Sequence, residues 1–392
     1  MAARWLWAMI LLTCASLTCA VVLAPHAGAP PVRALSWLLF TGSSVHVAST
    51  GWLFTVPAVR AYGRKHLVRC LWVPCFIVVI AAGAAAAISP AWFQWLLLPY
   101  FGWQLFHYQK QNVGMTALAA SAGRVPGLLA AERWPLLVAG WAGTAALIAR
   151  PAMLGLRLRP AGSASSAPGR WQAAHSAAFF GSGPWAVGEA IFLLAAATFV
   201  VSVAAGIAAF ARRPQVQRST GFCVAYLTCL LFFAPAFVFG SPFAAVAGMT
   251  IAHGLQYLLL VTLIAGGAQS SADSASPEAS IGASTASPRL SRVVRLALLA
   301  NVAFIGGAAL GGASHLHSAG PAGRLIFGAY LGVVMSHFVI DAGLWRMRDP
   351  LARNILTTHL PYLVSAKPAR APRPVLVNAA TDRSAADIEC RT

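Results

Sequence analysis

AVGEAIFLLAAATFVVSVAAGIAAFA, residues 186–211, decides the fold class. It carries one acid, Glu189, near one end, and no other charge. An apolar run of about 20 residues crosses the hydrocarbon core of a bilayer as a helix, because a helix satisfies its own backbone hydrogen bonds where no water can. Working outward, similar runs occupy roughly 4–23, 34–58, 67–88, 91–109, 133–150, 219–240, 241–265, 293–311 and 323–345. The pattern predicts an all-α, polytopic integral membrane helical bundle with about 10 transmembrane helices.

Composition agrees. Of the 392 residues, 58% are apolar and 9% charged, against about 25% charged in an ordinary soluble domain. Mean hydropathy is +0.70. These values exclude a soluble enzyme, a disordered chain and a collagen-like chain. The net charge of +19 comes from 28 basic and 9 acidic residues. The basic residues lie between the apolar runs, as topology determinants and lipid-headgroup contacts do, so no nucleic-acid partner is expected. With both termini cytoplasmic, 22 of the 28 fall inside and 6 outside. This predicts a multi-pass protein of the plasma (inner) membrane. Lipids are its expected surroundings, and no oligomeric state is specified.

The first run follows Arg4 and leads to small residues near Ala29, a pattern shared with signal peptides. At about 20 residues it is longer than the usual signal core, and we read it as a retained helix. Residues 1–365 then form one membrane domain. It includes an external loop at 151–185 and a low-complexity cytoplasmic linker at 268–288, and residues 366–392 are a disordered cytoplasmic tail. The seven cysteines form no CxxC pair and read as small packing residues.

Ionisable side chains at membrane depth are costly and mark functional sites. Four histidines lie in the runs: His46, His107, His253 and His337. Each sits on a helix of the same direction, in a band from the midplane to the cytoplasmic third, so all four are candidate metal ligands at one point of the bundle. Four positions after each comes a polar residue: Thr50, Gln111, Tyr257 and Asp341. Positions i and i+4 share a helix face. We therefore expect Asp341, Tyr257 and Gln111 to complete the reactive site by orienting the imidazoles, or, for Asp341, as a further ligand. Trp92, Trp95, Tyr100, Trp103 and Tyr108 suit the wall of a cleft for a long apolar ligand. His175 would be a fifth member if the external loop folded back.

The segment MSHFVIDAGL (335–344), with Ser336, His337 and Asp341, is similar to the late "PH…D" element of the Brp/Blh family of membrane β-carotene 15,15′-dioxygenases. His46, His107 and His253 follow a comparable order along the chain. SVHVAST (44–50) lacks the acid of the family's early string, and Tyr257 stands where an HxxxH-type pair would place a second histidine. The resemblance implies a multi-helical non-haem iron oxygenase.

The residues themselves support a related expectation. Imidazole suits iron, and open coordination positions suit dioxygen, acting on a lipid-soluble substrate such as a polyene or fatty chain. Two other readings stay open. One is a b-type haem electron-transfer protein with two axial histidines; the other is a proton-coupled transporter using His337 and Asp341. A rhodopsin-like protein would need a mid-helix lysine, and Lys110 sits at a helix end. The absence of Gly-x-Ser-x-Gly and P-loop strings excludes those hydrolase classes.

Overall fold

The computed structural model describes residues 1–26, 29–156, 184–267, 288–345 and 349–363. The linker at 268–288, except Pro288, and most of the loop at 151–185, His175 included, lie outside the described residues, as does the whole tail at 366–392. All regular structure among the described residues is helical. In chain order the helices are α1 (Ala2–Val22), α2 (Arg33–Phe40), α3 (His46–Leu53), α4 (Pro57–Lys65), α5 (Val73–Ala87), α6 (Pro90–Ala122), α7 (Ala130–Ala149), α8 (Pro184–Ala211), α9 (Thr220–Leu230), α10 (Pro235–Val238), α11 (Gly248–Gly266), α12 (Pro288–Ser314), α13 (Pro321–Leu344) and α14 (Pro350–His359). Several begin on proline, whose missing N–H costs nothing in the first turn.

Each of the ten predicted runs contains helix, and six helices are long and apolar enough to cross a membrane. These are Ala2–Val22, Val68–Ala87, Val187–Ala211, Phe243–Gly266, Ser291–Ser318 and Pro321–Leu344. The run at 34–58 divides into α2 and α3 around a π-turn at Thr41–Val45. The run at 219–240 breaks after Leu230, because Pro235 has no N–H to offer the carbonyl of Leu231. In contrast, α6 continues well past its predicted end. Its amide-rich second half stays helical because its side chains find partners: Gln109 donates to the Leu136 carbonyl, Gln111 to the His253 carbonyl, and Thr116 to the Asn112 carbonyl.

The bundle is layered around α11, of whose membrane window 78% is buried, against 11% for the α5 segment and 17% for the α12 segment. On one side α1 packs against it where Leu17 and Ala20 meet Gly248, and Trp5, Leu6, Met9, Thr13 and Ala20 of α1 are buried. Gln256 of α11 donates to Thr13 Oγ1 at 2.8 Å, so α1 is a constituent of the core. On another side the π-turn before α3 presses on α11, and α12 covers the opposite face of α3. The remaining wall comes from α13, which packs on α5 through Gly328 and Gly332. A Cβ at Gly332 would lie 2.5 Å from Val78 Cα. Such small-xxx-small faces are how membrane helices approach closely.

Two charged residues differ from expectation. Glu132 and Arg213, read as loop residues, are both buried and form a two-pronged pair: Nε donates to Oε1 at 2.7 Å and Nη2 to Oε2 at 2.6 Å. Arg213 also donates to the carbonyls of Pro126 and Gly127. The pair survives burial because nearly every donor is matched. Glu189 pairs with Arg150 at 2.7 Å, and both side chains remain partly exposed.

Candidate metal centre

The four membrane histidines converge. His46 opens α3, directly after the π-turn. His107 lies in mid-α6, His253 in the first half of α11, and His337 in the second half of α13. All four are buried. Their rings form a closed quadrilateral with centroid separations of 5.0 Å (His46–His253), 5.0 Å (His253–His107), 5.3 Å (His107–His337) and 5.1 Å (His337–His46), every contact edge to face. Tyr108 stacks on the outer face of His253 and Phe338 on that of His107, which fixes both ring planes.

Buried polar atoms are nearly always hydrogen-bonded, so exceptions need a reason. Here both ring nitrogens of His46, both of His253, Nε2 of His107 and Nε2 of His337 are buried without a hydrogen-bond partner. The π-turn carbonyls of Gly42 and Ser43 face the His46 ring but make no well-formed bond to it. His46, His253 and His337 present nitrogens within 4.8 Å of one another, and His107, His337 and Asp341 form a second such group. The Asp341 Oδ2 atom stands 3.5 Å from His337 Nε2 and 4.0 Å from His107 Nε2.

With Asp341 ionised, a hydrogen-bond chain sets the tautomer of His337. Tyr257 Oη donates to Asp341 Oδ1 at 3.1 Å. Its single proton is then used, so the 2.8 Å contact with Thr50 is donated by Thr50 Oγ1. That hydroxyl has also given its only proton, so at 2.7 Å it accepts from His337 Nδ1–H. The neutral imidazole is left with its lone pair on Nε2, which points into the cluster. This assignment follows from counting protons along the chain for an ionised Asp341. It is the arrangement that a metal-binding histidine has, with one nitrogen tethered and the other available.

The predicted residues are therefore placed as follows. His46, His107, His253, His337, Asp341 and Tyr257 come together. Gln111 stands beside them: its Nε2 donates to the His253 carbonyl at 2.9 Å and to Gln256 Oε1 at 3.0 Å, tying α6 to α11. The i+4 residues do not serve the histidine of their own helix as expected, Asp341 excepted. Thr50 holds His337 rather than His46, and Tyr257 holds Asp341 and Thr50. One helical turn separates i from i+4 along the axis, and in a packed bundle a neighbouring helix offers the nearer group. Of the aromatic stripe, Trp92, Trp95 and Trp103 face outward, whereas Tyr108 is buried. A cavity of about 20 Å³, room for a single water-sized sphere, opens beside His46 between Tyr100, Tyr108, Tyr330, Val334 and Phe338.

Tyr330, Val334 and Phe338 were not singled out from sequence. Their spacing of four along α13 is the signal that marks one face. Of the histidines outside the apolar runs, His26, His66, His315 and His317 are exposed, whereas His359 is half-buried at the end of α14. Six cysteines are free thiols.

Comparison with known protein families, with curated proteins and with solved structures finds no match for this chain.

Proposed function

We propose that the protein is an integral membrane non-haem iron oxygenase with His46, His107, His253 and His337 as ligands, acting on a lipid-soluble substrate such as a polyene or fatty chain. The observation that carries this reading is the set of buried imidazole nitrogens without partners, on four rings that close around one point. Unpaired buried polar atoms each cost about 1–3 kcal/mol, and one bound cation, taking one nitrogen from each ring, relieves four of the six. The donor set of imidazoles with one adjacent carboxylate suits a borderline metal such as iron. When bound, iron would supply coordination positions for dioxygen and would pass electrons to it, so that the dioxygen could oxidise the substrate.

The chain's own residues have separable roles in this reading. Thr50 and Tyr257 orient His337 and Asp341, and Asp341 balances part of the metal's charge. The Tyr and Phe walls of the cavity beside His46 mark the side from which an apolar, unsaturated chain would approach, and at one water's volume the cavity would have to widen to admit it. A substrate dissolved in the bilayer would reach it laterally. We place the protein in the plasma (inner) membrane with about ten crossings and both termini in the cytoplasm, as the basic-residue distribution favours.

The haem reading is weaker, because rings separated by 5.0–5.3 Å leave no slot for a porphyrin between them. The transporter reading needs His337 and Asp341 to exchange protons with a pathway, and both are locked in the Thr50–Tyr257 chain.

The test is metal content and visible spectrum of the detergent-purified protein. Stoichiometric iron without a Soret band, lost in His107→Ala and His337→Ala, is the expected result. A Soret band would replace the reading with haem. Absence of any stoichiometric metal after reconstitution with ferrous iron would overturn it.

A further inference from the structure

The chain between α4 and α5 carries a second feature, independent of the histidine cluster. Arg64, Lys65, His66 and Arg69 border one hollow of about 390 Å³, with Leu67 and Val68. Arg64, Lys65 and His66 are exposed, and Arg69 is half-buried. No carboxylate neutralises them among the described residues, because every described acid is engaged elsewhere. Glu132 pairs with Arg213 and Glu189 with Arg150; Asp341 belongs to the histidine cluster, and Asp349 caps α14. Among the described residues the hollow is therefore a concentrated positive site without a paired carboxylate.

Its surroundings identify the anion. Leu67, Val68, Leu71 and Trp72 are 45–68% exposed, and Phe76, Val79 and Ile80 continue the apolar surface down α5 at 55–68%. The α4 helix itself is amphipathic, with Val59 and Gly63 buried and Arg60, Arg64 and Lys65 exposed. A basic amphipathic helix of this kind lies in the headgroup layer. A soluble anion would use the charge and ignore the apolar strip. A phospholipid would use both, with its phosphate in the hollow and its acyl chains along α5.

We propose that the Arg64–Arg69 hollow binds the headgroup of an anionic phospholipid. The site bears on the rest of the molecule through Arg69, whose Nε donates to the carbonyl of Val339 at 3.2 Å. Val339 lies on α13 between His337 and Asp341, so the bound lipid would brace the helix that contributes two residues to the cluster.

The experiment is native mass spectrometry of the full chain, titrated with phosphatidylglycerol or phosphatidylcholine. Arg64→Gln/Lys65→Gln is compared with Arg4→Gln/Arg212→Gln, which lowers the charge equally at other exposed positions. Each basic group near an anionic surface contributes about 1 kcal/mol, so the first variant is expected to bind phosphatidylglycerol about 30-fold more weakly, and the control to match wild type. Equal binding of the two lipids, or equal loss in both variants, would overturn the proposal. Inorganic phosphate forms the third arm. If it displaces phosphatidylglycerol at matched concentration, the apolar strip contributes nothing and the lipid assignment fails. The thermal midpoint of each variant without lipid is recorded, and Arg64→Lys, which keeps the charge, is expected to retain binding should the double variant misfold.

Discussion

Gly42 stands where the π-turn of the α2–α3 segment crosses α11, and Gly42→Ala tests whether this crossing sets the spacing of the proposed ligands. A Cβ at Gly42 would fall 2.6 Å from Ile251 Cα, 3.0 Å from the Thr250 carbonyl oxygen and 3.1 Å from Ile251 N. All three are backbone atoms, so no rotamer change relieves the clash. Carbon–carbon contact is comfortable from about 3.5 Å, so the two segments must separate by about 0.9 Å. His46 lies four residues beyond Gly42 and His253 two beyond Ile251, and their rings are 5.0 Å apart. The displacement therefore acts on the distance between two of the proposed ligands. Metal–nitrogen distances tolerate about 0.2 Å, so a shift several times larger removes one ligand from the set. We expect affinity for the metal to fall by about 100-fold, the upper end of what mispositioned ligands cost. Overpacking should destabilise the fold by about 1–3 kcal/mol. Gly254→Ala approaches the same crossing from the other side, since its Cβ would strike the Gly42 carbonyl. Gly114→Ala on α6, where a Cβ meets nothing within 4 Å, is the control, and is expected to bind metal as wild type does. Chelator competition on the purified proteins gives the affinities, and thermal unfolding gives the stabilities. A folded Gly42→Ala protein that holds the metal as tightly as Gly114→Ala would refute the reasoning.

Two further perturbations follow from the same geometry. Thr50→Val keeps the side-chain shape but leaves His337 Nδ1 and Tyr257 Oη without their shared partner; metal affinity should fall by about 10–100-fold, recover in Thr50→Ser, and show a changed ligand-field spectrum in the residual metal-bound protein. An unaltered spectrum and affinity would mean that Thr50 does not set the His337 tautomer. Glu132→Gln leaves the buried Arg213 charge uncompensated and should cost about 3–5 kcal/mol in denaturant unfolding from micelles, whereas Glu132→Leu/Arg213→Leu should cost less than either single substitution; a near-neutral Glu132→Gln would contradict the burial of the pair.

The fold class was legible because it rests on runs of residues. Twenty apolar positions in a row, as in 186–211, specify a spanning helix whatever packs beside it. The breaks were harder to read. Pro235 is visible in sequence, but the π-turn at 41–45 has no proline to announce it; that backbone arrangement accompanies close contact with α11 and α12, which is tertiary information. The Glu132–Arg213 pair was hidden for a related reason. Arg213 adjoins Arg212 and looks like one more topology-determining base, whereas Arg212 is exposed and Arg213 is buried. Only the position of a carboxylate 81 residues earlier distinguishes them.

The histidines were legible as individuals, because an imidazole in an apolar run is conspicuous. Their partners were assigned along helices, and the structure assigns most of them across helices. The difference bears on how the site is built. If each histidine were oriented by its own i+4 neighbour, four independent helices would carry four preformed ligands, and small rotations of any one would leave the others intact. Instead His337 is oriented from α3 and Asp341 from α11, and the carbonyl of His253 accepts from α6. The site exists only when α3, α6, α11 and α13 are docked together. Ligand geometry and helix packing are then one cooperative unit, so metal binding should raise the stability of the whole bundle, as mass action requires for anything that binds the folded state alone. The same coupling gives a role to glycines with no chemistry of their own, Gly42 and Gly254, which allow the backbone contact between the π-turn and α11.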